Sequence, residues 1–466
     1  MNLLWETDAM IAAMNGRPVG ELPEGITGIS IDTRTLKKGD AFFAIKGDNF
    51  DGHEFIAAAM KVGAALAVVD ESKLVSLGRV TLPLLVVNDV LAAMVRLGEA
   101  ARVRTKAKII AVTGSVGKTS TKEMMRTALA PSGLVHASVA SFNNHWGVPL
   151  TLARMPQETK FGVFEIGMNN PGEILELVAM VRPHVAIITA IAAAHISAFD
   201  TIEDIARAKA EIYTGVVSGG HGLINHDDKR YLLLRDLAEE AKVSNLLSFG
   251  TKRGSDIWLR EINQSDEGSK LSVRIAGKNM EYFVNVPGEH MAMNSLAVVG
   301  AAYLVNADLE KTLDAMSRVE VADGRGTRYQ IGGSGTMGIT VIDESYNANP
   351  ASMEAALHML GRFDTVRTKR RIAVLGDMLE LGNQSRKLHE ELARPISAAK
   401  VDLVFLMGQE MEYLAGILPK DKLGGHFTST DALIDALKIV MKPGDVVMLK
   451  ASNSMRFSSV VQKIIE

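Results

Sequence analysis

The sequence predicts an α/β protein in three units: an N-terminal mixed α/β unit, a central domain built on a parallel sheet, and a C-terminal Rossmann-like domain. Three observations carry this. The chain has 466 residues, about three times the ~150 residues of an average domain. From KIIAVT at residue 108 onward, apolar strands alternate with helices, the pattern of a parallel sheet with crossover connections. The alternation breaks at the Gly-rich polar stretch ADGRGTR, residues 322–328, and then restarts. The predicted units are therefore 1–105, 106–325 and 326–466.

In the first unit, GISIDTR and GDAFFAIKG read as short strands and HEFIAAAMKVGAAL as a helix. The basic tract RVRTKAK then reads as a solvated linker. In the second unit the order is the strand KIIAVT, a helix after Lys118, the strand FGVFEIG, the helix GEILELVAMV, the strand VAIITAI and the helix IEDIARAKAEIY. In the third, GITVID, RIAVLGD, LVFLMG and VVMLKA are strands separated by helices, which predicts a second doubly wound sheet.

Composition excludes several function classes. Hydrophobic residues make up 47% and charged residues 23%, with a formal net charge of −3. That balance is ordinary for a soluble globular chain and gives no electrostatic case for nucleic acid or an anionic membrane. There is no cysteine, which rules out disulfides and thiol catalysis and fits a reducing compartment. The first residues, MNLLWETDAMIAAMNG, carry acids early and lack a basic start followed by an apolar run. No apolar stretch approaches the ~18 residues that span a bilayer. The expectation is a cytoplasmic protein with no membrane insertion and no nucleic-acid partner.

The sharpest motif is TGSVGKTS, residues 113–120, between the strand KIIAV and a helix. Gly114 and Gly117 let backbone amides of the loop, through Ser115 and Val116, approach phosphate oxygens. Lys118 would reach the β and γ phosphates, and the hydroxyl of Thr119, followed by Ser120, would meet Mg²⁺. Val112 stands where a longer P-loop carries its first glycine. A P-loop alone does not separate a ligase from a kinase or a nucleotide switch. Three further residues follow at the ends of successive βα units: Glu165 closing FGVFEIG, His195 after VAIITAI, and Lys209 on the next helix. Singly, each reads as easily as a loop cap or a solvated side chain. In series they occupy the edge where α/β sheets bind ligands.

At this point a resemblance becomes specific. TGSVGKT, SFNNHWGVP, FEIGMNNPGEI, AAAHISAF and ARAKAEIY, in that order, resemble the central domain of the Mur ligases. VPGEHMAMNSLA, DGRG, DESYNANPASM, LGDMLELG and KASNSMRF extend the likeness into the C-terminal part, and IDTRTLKKGDAFFAIKGDNFDGHEFI is similar to the family's UDP-binding domain. The resemblance implies an ATP-dependent amide ligase that passes through an acyl phosphate. YNANP with GDMLELG is similar to members that join D-alanyl-D-alanine to UDP-N-acetylmuramoyl-tripeptide, and the Asp-Asn-Pro-Arg string of siblings that add diaminopimelate is absent.

The same resemblance implies site roles. Lys118 and Thr119 would hold ATP phosphates, and Thr119 and Glu165 one of two Mg²⁺ ions. His195 and a carbamylated Lys209 would hold the other. His290, Asn294, Arg325 and Asp343 would contact the nucleotide, and Asn143, Tyr346, Asn347 and Asn349 the substrates. Asn144 would join Lys118, Lys209 and His195 in catalysis, and Thr33 and Arg34 would approach the UDP end. The chain departs from the family pattern at Met291, where an Asn is usual, at Glu344, where an Asp is usual, and at Asn453, where an Arg is common. A monomer is expected. The competing readings are a sibling ligase that adds one amino acid, a folylpolyglutamate synthase-like ligase without the N-terminal block, and a P-loop kinase or switch.

Overall fold

The structure, a computed structural model, describes residues 3–47, 49–78, 80–193, 198–265, 267–332, 338–363 and 369–466. Three main sheets divide the chain. The first has five strands in the order Arg17–Val19, Leu84–Val87, Leu66–Asp70, Asp40–Phe43, Gly28–Ser30. Its first pair is antiparallel and the rest are parallel. The helix Val90–Arg104 leaves this sheet, started by Asp89, whose side chain accepts the Ala92 N–H at 2.7 Å. Such a cap contributes about 1 kcal/mol.

This helix is more than a linker. Leu97 and Ala101 share one apolar cluster with Phe43 and Val68 of the first sheet and with Leu150 and Ala153 of the central unit. Trp5 donates its indole N–H to the Ala153 carbonyl at 2.8 Å, and Arg154 donates to the Ile29 carbonyl at 2.8 Å. Within the basic tract read as a solvated linker, Arg102 is buried and donates to the Val181 and Arg182 carbonyls, each at 2.7 Å. The tract's arginines form an interface, their stems packed while their donors satisfy helix-end carbonyls, whereas Lys106 and Lys108 are exposed as expected.

The central sheet has nine strands. Lys108–Thr113 lies between Phe161–Glu165 and Val185–Ile188, parallel to both. From Lys108–Thr113 the chain builds first to one side, through Val135–Ala137 and Phe161–Glu165, and then crosses to Val185–Ile188 on the other. That reversal opens a crevice at the C-terminal strand ends, where α/β sheets bind ligands. Helices cover both faces: Lys118–Leu129 packs with Glu289–Leu304 on one, and Glu173–Val181 and Ile202–Ala210 lie on the other. The sheet extends beyond the predicted parallel pattern. Ile257–Gln264, Ser269–Ile275 and Lys278–Val284 add antiparallel hairpins at one end.

The third sheet runs Thr327–Ile331, Ile339–Asp343, Asp445–Lys450, Arg370–Gly376, Leu403–Met407, Leu423–Phe427. Only its first pair is antiparallel. Apolar clusters cover both faces, as a doubly wound sheet requires. Among the described residues, no helix is long and apolar enough to cross a membrane.

Candidate active site

The phosphate loop forms because its two glycines take conformations that a side chain would block. Gly114 has φ 152° and Gly117 φ 85°. A Cβ on Gly114 would lie 2.0 Å from the Thr189 hydroxyl, and one on Gly117 would lie 2.7 Å from the Asn294 amide oxygen. Thr189 donates to the Val116 carbonyl at 2.6 Å, and Ser115 donates its N–H to Ala190 and its hydroxyl to the Ala192 carbonyl. The loop is thus stitched to the neighbouring strand end, with the helix Lys118–Leu129 rising behind it.

A cavity of about 600 Å³ opens at this crevice. Its wall includes Ser115, Val116, Gly117, Lys118, Thr119 and Ser120 of the loop, Asn143, Asn144 and Glu165 beside it, His290 and Asn294 from the long helix, Arg325 from the domain break, and Tyr346, Asn347 and Asn349 from beyond it. Most of the residues singled out in the sequence therefore converge, although they span 235 positions from 115 to 349.

The polar contacts form one chain. Thr119 donates to Glu165 Oε2 at 2.8 Å, and Asn143 donates to Oε1 at 2.7 Å. Arg325 donates to the Thr119 hydroxyl at 2.9 Å. Its guanidinium stands 4.0 Å from the centre of the Tyr346 ring, a cation–π contact. Tyr346 donates a short hydrogen bond to the Ser141 hydroxyl. Lys118 folds onto its own loop, donating to the Gly114 carbonyl at 2.7 Å. Burial lowers its pKa, with Arg325 adding and Glu165 opposing. His290 lines the cavity and is exposed there, and desolvation by the surrounding protein lowers its pKa. Asn144 also shapes the local backbone, because its side-chain oxygen accepts the Gly147 N–H at 3.0 Å, at the start of the helix Gly147–Ala153.

Some assignments land elsewhere. Asp343, expected at the nucleotide, turns inward: it is buried and its carboxylate accepts the Ser345 N–H at 2.9 Å, while Glu344 lines the cavity. Burial raises the Asp343 pKa. Thr33 and Arg34 lie on the loop after Gly28–Ser30, outside the cavity wall, and Arg34 pairs with Asp32 at 2.6 Å. Lys209 is buried behind the wall rather than solvated. Desolvation moves its pKa well down, and the Lys118 charge adds to that. His195 lies outside the described residues. Among the described residues no group of three His, Cys, Asp or Glu is placed to hold a metal.

Met291 packs into the apolar core and also lines the cavity, so this departure from the family pattern puts a thioether side chain on the wall. Asn349 lines the cavity and also starts the helix Pro350–Gly361, exchanging hydrogen bonds with Ser352 in a capping box. Residues that the sequence reading passed over include Ser141, Glu173, Ser352 and Lys450. Lys450 is buried and bonded to Glu344 at 3.2 Å and to the Asn347 carbonyl at 2.9 Å. It stands in KASNSMRF, one of the segments that carry the family likeness, and its placement at a strand end was the available signal.

Comparison with known proteins follows the same division. Residues 25–116 match "Mur ligase family, catalytic domain", 112–302 "Mur ligase middle domain" and 327–453 "Mur ligase, glutamate ligase domain". Over 95% of this chain and 93% of the relative, it is 33% identical to UDP-N-acetylmuramoyl-tripeptide--D-alanyl-D-alanine ligase of Bacillus subtilis. The chain belongs to the Mur ligase family. The like-named Escherichia coli ligase is 31% identical over 94% of this chain and 93% of its own. A crystal structure of MurF from Acinetobacter baumannii superposes with a TM-score of 0.83 at 28% identity, covering 99% of this chain and 98% of that one. The Mur ligase likeness thus extends through all three sheets, including the N-terminal one.

Proposed function

We propose that the protein is an ATP-dependent ligase that joins D-alanyl-D-alanine to UDP-N-acetylmuramoyl-tripeptide, giving the pentapeptide precursor of peptidoglycan. The observation that carries this is the single cavity walled by the phosphate loop on one side and by Glu344, Tyr346, Asn347 and Lys450 on the other. The relatives' names supply the substrate pair. We take 1–105, 106–325 and 326–466 as the working units, in a cytoplasmic monomer.

A carboxylate is a poor acylating agent because oxide is a poor leaving group. In this reading a carboxylate oxygen of the tripeptide attacks the γ-phosphorus of ATP, and ADP departs. The dipeptide amine then attacks the acyl carbon, phosphate leaves, the nitrogen loses a proton, and an amide remains. Lys118 and Arg325 place positive charge where the phosphoryl oxygens would lie, which is the main work of such sites. Thr119 and Glu165 suit Mg²⁺, because a hydroxyl and a carboxylate converge at 2.8 Å on the cavity wall. When bound, the ion neutralises phosphate charge. Asn143 orients Glu165, and Glu344 rather than Asp343 takes the acidic position facing the nucleotide side. Thr33 and Arg34 sit at the C-terminal end of a parallel strand in the first sheet, a suitable place for the UDP end.

Carbamylation of Lys209 is the finer part of this reading. At an ordinary pKa near 10.4, about one lysine in 2,500 is neutral at pH 7. Burial lowers the Lys209 pKa and so enriches the neutral amine that adds to carbon dioxide with loss of a proton. The product is an anion, which suits a metal where a cation does not. Lys209→Arg should be as inactive as Lys209→Ala, since it restores charge and not the anion. A Lys209→Arg enzyme with most of its turnover would remove the carbamate role.

The substrate assignment is tested by assaying D-alanyl-D-alanine against single amino acids, diaminopimelate and lysine, with the matching UDP-linked acceptors. Turnover should favour the dipeptide. Preference for a single amino acid would transfer the protein to a sibling activity.

A further inference from the structure

One helical turn after Lys118, the same helix carries a second lysine that faces away from the cavity. Lys122 is fully buried. Its ammonium donates to the Ser138 carbonyl at 2.8 Å and to the Ala140 carbonyl at 2.5 Å, and it pairs with Glu123 at 2.8 Å. Two of its three N–H donors are thereby engaged by carbonyls, and the Glu123 carboxylate balances its charge. Burying an ammonium is costly unless it is paired and bonded in this way, so the arrangement calls for a reason. The turn it holds is itself strained: Ala140 has φ 48°, a left-handed conformation that a residue with a side chain seldom adopts. On the other side, the Ser138 hydroxyl accepts the Glu165 N–H at 3.3 Å.

The next residue is Ser141. Its hydroxyl lies 3.3 Å from that of Thr119 and accepts the hydrogen bond from Tyr346. A turn fixed by Lys122 therefore presents one hydroxyl to the phosphate loop and to the C-terminal domain at once. We propose that Lys122 is a positioning residue for ligation: it pins the strained turn at 138–141 so that Ser141 joins Thr119 to Tyr346, and docking of the third domain is felt at the phosphate loop. The inference rests on the ligase reading above.

The test uses the full-length protein, with kcat from phosphate release in the presence of ATP, dipeptide and UDP-linked acceptor, and ADP affinity from calorimetry. Lys122→Met should lower kcat by about a hundredfold, the scale of a roughly 1 Å misplacement of reacting groups, while ADP affinity stays unchanged because Lys122 touches no part of the cavity. A purely structural lysine would lower both together or neither. Ser141→Ala and Tyr346→Phe should each lower kcat by about tenfold, and the double variant should be no worse than the poorer single one, because both break one joint. Where Lys122→Met does not fold, Lys122→Arg, which keeps the charge but misplaces the donors to Ser138 and Ala140, should show the same loss of kcat with unchanged ADP affinity. Losses that multiply in the double variant, or a folded Lys122→Met with near-normal kcat, overturn the assignment. A wild-type protein that releases no phosphate with both substrates overturns the ligase reading and this assignment with it; normal wild-type turnover with variants to match overturns this assignment alone.

Discussion

Lys118 and Lys122 lie on one helix, four residues apart, and do different work because of which way each points. Lys118 lines the cavity, where its ammonium donates to the Gly114 carbonyl of its own loop, whereas Lys122 is buried away from it. Lys118→Ala should lower kcat by about 10²–10³ with an unchanged circular dichroism spectrum, and near-normal turnover would contradict the phosphate role. At this scale the sequence was legible where chemistry imposes a spacing. Gly114, Gly117, Lys118 and Thr119 announce themselves because a phosphate cradle needs glycine backbone, a cation and a hydroxyl in that order. Ser141 and Lys450 do not, since a serine before an Asn pair and a lysine ending a strand have no such signature. Nor does a motif decide between adjacent acids: only the turn geometry shows Asp343 bonded to Ser345 and Glu344 facing the cavity.

Among the elements, the alternation of strands and helices was legible because apolar runs such as KIIAVT and VAIITAI are buried on both sides. The hairpins from Ile257 to Val284 escaped notice because one-sided antiparallel strands show only a period-2 pattern, here Ser269, Leu271, Val273 and Ile275 buried. The basic tract at 102–108 misled because a cationic run reads as solvated, whereas Arg102 is packed. One element also carries a pH dependence. His136, in the strand Val135–Ala137 at the sheet's edge, shares a hydrogen bond of 2.7 Å with the Thr151 carbonyl. Burial is the main reason its pKa falls from 6.5 to about 4, with Arg154 adding and the Thr151 bond opposing. The fold therefore favours neutral His136. Its contribution is intact above pH 6.5 and is lost as the pH falls toward 4, by about 3 kcal/mol. His136→Gln should flatten this part of the stability profile in urea titrations at pH 4–7. An unchanged profile would contradict the buried neutral state.

At the scale of the whole molecule, the two joints differ in kind. The N-terminal unit shares an apolar cluster with the central one, locked further by Trp5 and Arg154. The C-terminal unit meets the central one through polar contacts, Tyr346 to Ser141 and, at the break between the units, Arg325 to Thr119. Polar joints of this kind exchange readily for contacts with ligand, and a lid that encloses an acyl phosphate shields it from water. The three-unit plan was legible from length, alternation and the Gly-rich break, but the character of the joints was not, because it depends on which side chains meet across them. The central claim is that one cavity couples ATP cleavage to amide formation between two other substrates. The direct measurement is phosphate release from ATP with the UDP-linked tripeptide alone, with D-alanyl-D-alanine alone, and with both. Sustained release is expected only with both, one phosphate for each pentapeptide formed. Equal release with either substrate omitted, or ADP formation without a new amide, would contradict it.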